Sequence, residues 1–542
     1  MGLKLEKSTK FEGRQGPLLL IIMDGVGIGK EDEGNAVYLA KTPNLDRLLA
    51  SQLQTRLKAH GPAVGLPSED DMGNSEVGHN ALGAGRVFAQ GAKLVNNSIG
   101  TGAIFDTENW NKVIEHGRNG GTIHFMGLLS DGNVHSHINH LFALINKCAE
   151  NGIKNVRLHI LLDGRDVGEK TALEYIKPTE ELLARISKEK GFDYRIASGG
   201  GRMITTMDRY NADWTIVKRG WDAHVLGVAR HFKSAAEAVE TYYNEDPKAT
   251  DQYLNSFVIV DENEKPVGTI QDNDAVIFFN FRGDRAIEIS RAFDEENFIE
   301  FDRVRVPKLF YAGMMEYDGD LHIPRNYLVQ PPAIERTVSE YLCDAGVSSF
   351  AISETQKFGH VTYFWNGNRS GYINKDLETY VEIPSDKIQF DRAPKMKAYE
   401  ITEKALELYK SGKYKWGRIN FANGDMVGHT GIMEAAITAV ETVDECLGTL
   451  LKAVKEMNGI AIITADHGNA DEMFTVKKGV KEVKTAHTLN PVPFVIYDPL
   501  YNNEYTMANV ENRGLTNVAG TILNLLGFEN VADYDKSLIE VK

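Results

Sequence analysis

Residues 18–27, LLLIIMDGVG, are an apolar run, Leu18–Met23, closed by Asp24 and followed by Gly25 and Gly27. A short unbroken apolar run of this kind fits a strand buried on both faces of a parallel sheet. In an open α/β sheet, ligands bind beyond the carboxyl ends of the strands. Asp24 stands at such an end. The pattern recurs far away: Gly417–Ala422 runs into NGDMVGHTG (423–431), and Ile460–Ala465 runs into DHGN (466–469). A single Asp at a strand end is ordinarily a cap or turn residue. Repetition with histidines alongside turns the reading toward a site.

Working outward, the same apolar pattern predicts strands over Thr122–Leu128, Val156–Leu162, Ala275–Asn280, Lys308–Gly313, Ser349–Ile352 and Pro493–Tyr497. Amphipathic stretches predict helices over Thr42–Ser51, Ile138–Asn151, Thr171–Lys190, Ile334–Ala345, Ala398–Ser411 and Ile432–Met457. Alternation of the two gives an α/β fold. Asp163 and Asn280 also end apolar runs, but the residues near them are arginines, not histidines. That division predicts two domains: a metal-binding one built from both chain ends (1–89 and 319–542) and an inserted one (90–318), with GAGRVFAQGAK (83–93) and MMEYDGDLHIP (314–324) as the crossings. Residues 1–16 are polar and are expected to form a loose arm.

The chain has 542 residues, a net charge of −16, 42% hydrophobic residues and three cysteines. The acidic balance argues against nucleic acid or an anionic membrane as a partner. Cys148, Cys343 and Cys446 have no metal-type spacing and form no disulfide framework, which fits a reducing, cytoplasmic setting. Leu18–Met23 is too short to span a bilayer.

Two constellations carry chemistry. The first is Asp24, Ser75 in DDMGNSEVGHN (70–80), Asp425, His429, Asp466, His467 and His487 in TAHTLNPVP (485–493). Carboxylates and imidazoles suit Mn²⁺, Co²⁺ and Zn²⁺. A serine hydroxyl is a weak nucleophile until a base or a cation makes it easier to deprotonate, and a second cation can hold phosphoryl oxygens opposite it. Seven O and N donors are about what two such ions need. The second constellation is Arg165 and Asp166 in LLDGRDV, Arg202 in SGGGRM, Arg209, and Arg282 and Arg285 in FNFRGDRA. Guanidinium forks at strand ends suit a small, multiply charged anion. In LLSDGNVHSHINHL, His135, His137 and His140 have the spacing of a zinc motif, with helix capping and a substrate contact as the competing reading. The GGG at 199–201 is neither a P-loop nor a dinucleotide fingerprint.

In order along nearly the whole chain, DGVGIG, MGNSEVGHNALGAGR, LLSDGNVHSH, LDGRDV, GGGR, NFRGDRA, SETQKFGHVTYFWNG, NGDMVGHTG, TADHGN and TAHTLNPVP resemble the cofactor-independent phosphoglycerate mutases. The length of the 245–270 region and Gly283 resemble the plant and trypanosomatid form. The resemblance implies an alkaline-phosphatase-like domain with an inserted transferase domain. It implies interconversion of 3- and 2-phosphoglycerate, in glycolysis and gluconeogenesis, without bisphosphoglycerate. Ser75 would become a phosphoserine. Asp425, His429 and His487 would hold one metal, and Asp24, Ser75, Asp466 and His467 the other, with Mn²⁺ first and Co²⁺, Mg²⁺ or Zn²⁺ as alternatives. His135, Arg165, Asp166, Arg202, Arg209, Arg282 and Arg285 would grip the substrate, Lys357 would reach the phosphoryl group, and Asp166 would move a proton. A monomer is expected. A related metal-dependent phosphatase or phosphopentomutase would use the same metal set; only the arginines distinguish the mutase.

Overall fold

The computed structural model describes residues 3–66, 68–208, 213–318, 321–330, 332, 334–477 and 480–542. The fold is α/β, in two compact units: Met1–Gln90 with Pro332–Lys542, and Gly91–Pro331. Among the described residues no helix is long and apolar enough to cross a membrane.

The first unit is built on a seven-stranded sheet, in the order Glu378–Ile383, Ser349–Glu354, Trp416–Phe421, Leu18–Met23, Ile460–Thr464, Val492–Tyr497, Gln54–Leu57. The first five strands run parallel and the last two pair antiparallel. Leu18–Met23 is wholly buried, as an apolar run covered on both faces must be. It lies between Trp416–Phe421 and Ile460–Thr464. The centre of this sheet therefore closes only when the two ends of the chain meet, a non-local pairing that slows folding. It also sets Asp24, Asp425 and Asp466 at the carboxyl ends of three adjacent parallel strands.

The second unit has its own seven-stranded sheet: Arg230–Phe232, Phe257–Ile259, Asp193–Gly201, Asn155–Leu162, Ile123–Leu128, Ala275–Phe278, Phe310–Gly313. Only the Asp193–Gly201 and Phe257–Ile259 pair is antiparallel. The chain turns back on the last strand before leaving the unit, with Leu328 N donating to Gly313 O at 3.0 Å and Val329 N to Met314 O at 2.9 Å.

The strand Asp193–Gly201, absent from the strands expected from the sequence, ends in the glycines of SGGG. A Cβ on Gly199 would lie 2.5 Å from Ile160 O and one on Gly201 2.5 Å from Asp251 O, so only glycine lets the neighbouring backbone approach so closely. The N-terminal arm is not loose: Lys7 bridges to Phe528, Phe11 is buried against Tyr505, and Arg14 pairs with Asp498 at 2.7 Å. Its few anchors are spaced among polar residues, which hid them.

Candidate metal centre and anion-binding edge

Strand ends deliver all of the first-unit residues except Ser75 and His487. Asp24 directly follows Leu18–Met23. Trp416–Phe421 leads into the short helix Asn423–Gly428, which carries Asp425 and is closed by His429. Ile460–Thr464 leads to Asp466 and His467. Ser349–Glu354 leads to the helix Thr355–Gly359, which carries Lys357. Ser75 is the first residue of the helix Ser75–Ala84, whose cap Asn74 accepts a hydrogen bond from Val77 N, as an N-cap should.

These side chains converge. The Ser75 Oγ lies 2.9 Å from His467 Nε2 and 3.3 Å from Asp24 Oδ1, and accepts from Lys357 Nζ at 2.6 Å. Lys357 Nζ also lies 2.8 Å from Asp425 Oδ2 and 3.6 Å from Asp24 Oδ1. Asp425 Oδ1 is 3.2 Å from both His429 Nε2 and His487 Nε2. Asp24, Asp425, Asp466, His467 and Lys357 are fully buried.

The histidine tautomers follow from their partners. Nδ1 of His429, His467 and His487 faces the backbone oxygens of Thr485 (2.6 Å), Gly468 (3.2 Å) and Gly73 (2.8 Å) respectively. Carbonyls only accept, so each Nδ1 carries the proton and each Nε2 offers a lone pair, the orientation in which metal-binding imidazoles are held. His429 Nε2 and His487 Nε2 then face each other at 3.1 Å. Two lone pairs at that distance require a proton or a cation between them. Three buried carboxylates around one lysine also leave negative charge that burial penalises heavily.

The electrostatics agree. Burial, then the neighbouring Asp466, push Asp24 well above the usual carboxylate range. Burial acts upward on Asp425 too, but Lys357 and three histidines outweigh it and hold that carboxyl well below the range. Burial pulls His429 down, yet Asp425 wins and lifts it to about 9. Oxygen and nitrogen atoms of Asp425, His467 and His487, and of Asp24, Asp466 and His467, gather within 4.8 Å of one another. The donor set thus fits divalent cations at two neighbouring points.

In the second unit, four adjacent parallel strands deliver the polar residues. Asp163 organises its turn, accepting from Ser130 Oγ at 2.5 Å and from Asp166 N at 3.0 Å. Arg202, 1% exposed, donates from Nη1 to Asp163 at 2.8 Å and Asp166 at 2.5 Å, so Asp166 is already ion-paired. Arg285 donates to Met207 O at 2.6 Å, and Arg282 Nε lies 3.2 Å from Asp284. Arg165 is exposed. His135 Nδ1 is 3.5 Å from Asp284. Burial holds its pKa well down; Asp284 works upward, and the Arg202, Arg282 and Arg285 charges downward, so the imidazole is neutral. Arg209 lies outside the described residues. His137 caps the helix Ile138–Glu150 and His140 bonds Asn96 at 2.6 Å, so the HxHxxH spacing reflects capping and packing and not a shared ligand point.

Three residues of the metal centre escape the sequence reading. Asn420 donates to Asp24 Oδ2 at 2.7 Å, Asn469 donates to Asp425 Oδ1 at 2.8 Å, and His79 Nδ1 lies 3.3 Å from Asp466 Oδ2. His79 had a signal, since it lies one helical turn after Ser75. Asn420 sits inside an apolar run, and a lone buried amide announces no partner.

A family model described as the metalloenzyme superfamily matches residues 16–530, which places the chain in that class. It is 53% identical over 550 residues to a probable 2,3-bisphosphoglycerate-independent phosphoglycerate mutase of Leptospira interrogans, covering 99% of this chain and 100% of the relative. It is 53% identical over 538 residues to the 2,3-bisphosphoglycerate-independent phosphoglycerate mutase of Trypanosoma brucei brucei, covering 97% of each. A crystal structure of Leishmania mexicana phosphoglycerate mutase at low cobalt concentration matches with 51% identity, 99% and 100% coverage and a TM-score of 0.65. The chain belongs to the 2,3-bisphosphoglycerate-independent phosphoglycerate mutase family.

Proposed function

We propose that this chain interconverts 3-phosphoglycerate and 2-phosphoglycerate through a phosphoserine at Ser75, with no bisphosphoglycerate. The observation that carries the reading is the setting of Ser75 Oγ, which accepts from the buried Lys357 ammonium and lies beside His467 and Asp24. In the first transfer the Ser75 oxygen gives up its proton and bonds to phosphorus as the bond between phosphorus and the glycerate oxygen breaks. The departing glycerate oxygen gains one proton in return, so none is lost overall, and Asp166, paired with Arg202, is the proposed shuttle for it. The second transfer reverses this at the other glycerate hydroxyl. Lys357 offsets charge on the phosphoryl oxygens, a role for a fixed, desolvated cation. His135, Arg165, Arg202, Arg209, Arg282 and Arg285 are proposed to hold the phosphoglycerate, so that the same molecule is rephosphorylated.

Asp425, His429 and His487 would hold one divalent ion, and Asp24, Ser75, Asp466 and His467 the other. Mn²⁺ is the proposed ion. Such ions would ease deprotonation of the serine and offset phosphoryl charge.

Phosphorus NMR of 3-phosphoglycerate with Mn²⁺ and no bisphosphoglycerate tests the function. Appearance of 2-phosphoglycerate without inorganic phosphate is expected; stoichiometric phosphate would make the chain a phosphatase. Two substitutions test the roles. Lys357→Met should lower kcat by about 10²- to 10³-fold, the usual effect of removing one transition-state charge donor. Arg282→Ala should raise KM by roughly 10- to 100-fold, the effect of losing one charged hydrogen bond. A KM unchanged from wild type would remove Arg282 from the grip.

A further inference from the structure

An unbroken line of polar side chains crosses the second unit's sheet on the face covered by Trp221 and Val225, through an otherwise apolar cluster. It joins Asp274, His124, His159, Ser198, His224 and Thr206. The separations are 3.1 Å (Asp274 Oδ2 to His124 Nε2), 2.9 Å (His124 Nδ1 to His159 Nε2), 2.7 Å (His159 Nδ1 to Ser198 Oγ), 2.7 Å (Ser198 Oγ to His224 Nδ1) and 2.9 Å (His224 Nε2 to Thr206 Oγ1). All six residues are buried, the three histidines completely.

The protons can be placed. Asp274 is a carboxylate, whose Oδ1 accepts from Thr122 N at 2.7 Å and Oδ2 from Gln271 N at 2.7 Å. It therefore accepts a hydrogen bond from His124 Nε2–H. His124 Nδ1 must then accept from His159 Nε2–H, and His159 Nδ1 from Ser198 Oγ–H. Ser198 Oγ accepts from His224 Nδ1–H, and His224 Nε2 accepts from Thr206 Oγ1–H. With neutral imidazoles every donor is used once and all donors point one way, from Thr206 to Asp274. Burial keeps all three imidazoles neutral, lowering each below its ordinary pKa. A fully satisfied network rigidifies what it touches, whereas a broken one leaves buried groups unpaired.

What it touches at its far end is the Arg202–Asp208 segment. Thr206 has a φ of 70°, a left-handed conformation costly for a β-branched residue. Its amide donates to Ile216 O at 2.8 Å, and the next carbonyl, Met207 O, accepts from Arg285 Nη1 at 2.6 Å. We propose that the Asp274–His124–His159–Ser198–His224–Thr206 relay is a positioning device for the anion grip: it fixes Thr206 in its strained conformation, and through Met207 O it places the Arg285 guanidinium. Thr206, His224 and Ser198 are thus positioning residues. This rests on the reading that Arg285 binds phosphoglycerate.

Thr206→Ala and Thr206→Ser, which differ by one hydroxyl, test it in the metal-loaded full chain. Thr206→Ala should raise KM for 3-phosphoglycerate at least fivefold with kcat within twofold, and speed amide exchange across residues 202–208 at least tenfold. Thr206→Ser should stay within twofold on each. Ser198→Ala, which interrupts the line without touching that segment, should reproduce the faster exchange and carries the test if Thr206→Ala does not fold. Wild-type exchange in the folded variants overturns the relay. Faster exchange with an unchanged KM upholds the relay and overturns the assignment of Arg285 to the grip.

Discussion

Ser75→Ala is expected to reduce mutase turnover by at least about 10⁴-fold, the scale of losing a covalent nucleophile. The protein should stay folded, because the helix cap is Asn74 and not Ser75. Removing the hydroxyl takes from Lys357 an acceptor 2.6 Å away, but leaves it the Asp425 carboxylate at 2.8 Å. The pocket therefore keeps its charge balance while losing the atom that receives the phosphoryl group. Substrate should still bind, so KM should move far less than kcat. A variant with more than a hundredth of wild-type turnover would show that phosphorus never bonds to Ser75.

Metal removal should have an effect of similar size on activity and a second one on stability. Chelation should abolish turnover, and separate re-addition of Mn²⁺, Co²⁺, Mg²⁺ and Zn²⁺ should rank the ions. An ion present at 1,000 times its Kd adds about 4 kcal/mol to the state that binds it. For a unit of this size, with about 2 cal/mol/K of unfolding entropy per residue, that corresponds to roughly 6 °C in melting temperature. The effect should also depend on pH in a definite direction. Without metal, His429 holds its proton up to about 9 because Asp425 lies 3.2 Å away. A cation must displace that proton, so apparent affinity should climb through neutral pH and level off above about 9. Affinity independent of pH between 6 and 8 would mean that His429 is not a ligand. Wild-type activity in the chelated enzyme would end the two-metal reading altogether.

The parts of the fold legible in the sequence are those where one residue type reports one environment. Leu18–Met23 and Ile460–Thr464 are apolar throughout because both faces of a parallel strand are covered, and the structure has both as strands. Asp24, Asp425 and Asp466 stood out because an acid ending such a run has few uses. Other parts depend on who the neighbour is. Asp193–Gly201, DYRIASGGG, has no unbroken apolar run to announce a strand, and its glycines are explained only by the closeness of Ile160 and Asp251. The Asp274-to-Thr206 line draws on residues in separate elements, of which His124 and Asp274 lie 150 positions apart, and no local pattern joins them.

Acid-quenching the Mn²⁺-loaded enzyme during turnover of 3-phosphoglycerate labelled on phosphorus, then mapping the label by mass spectrometry, tests the central claim most directly. The account predicts an acid-stable phosphate on the peptide GNSEVG, at Ser75. An unlabelled protein under rapid quench, or label on any other residue, would contradict it.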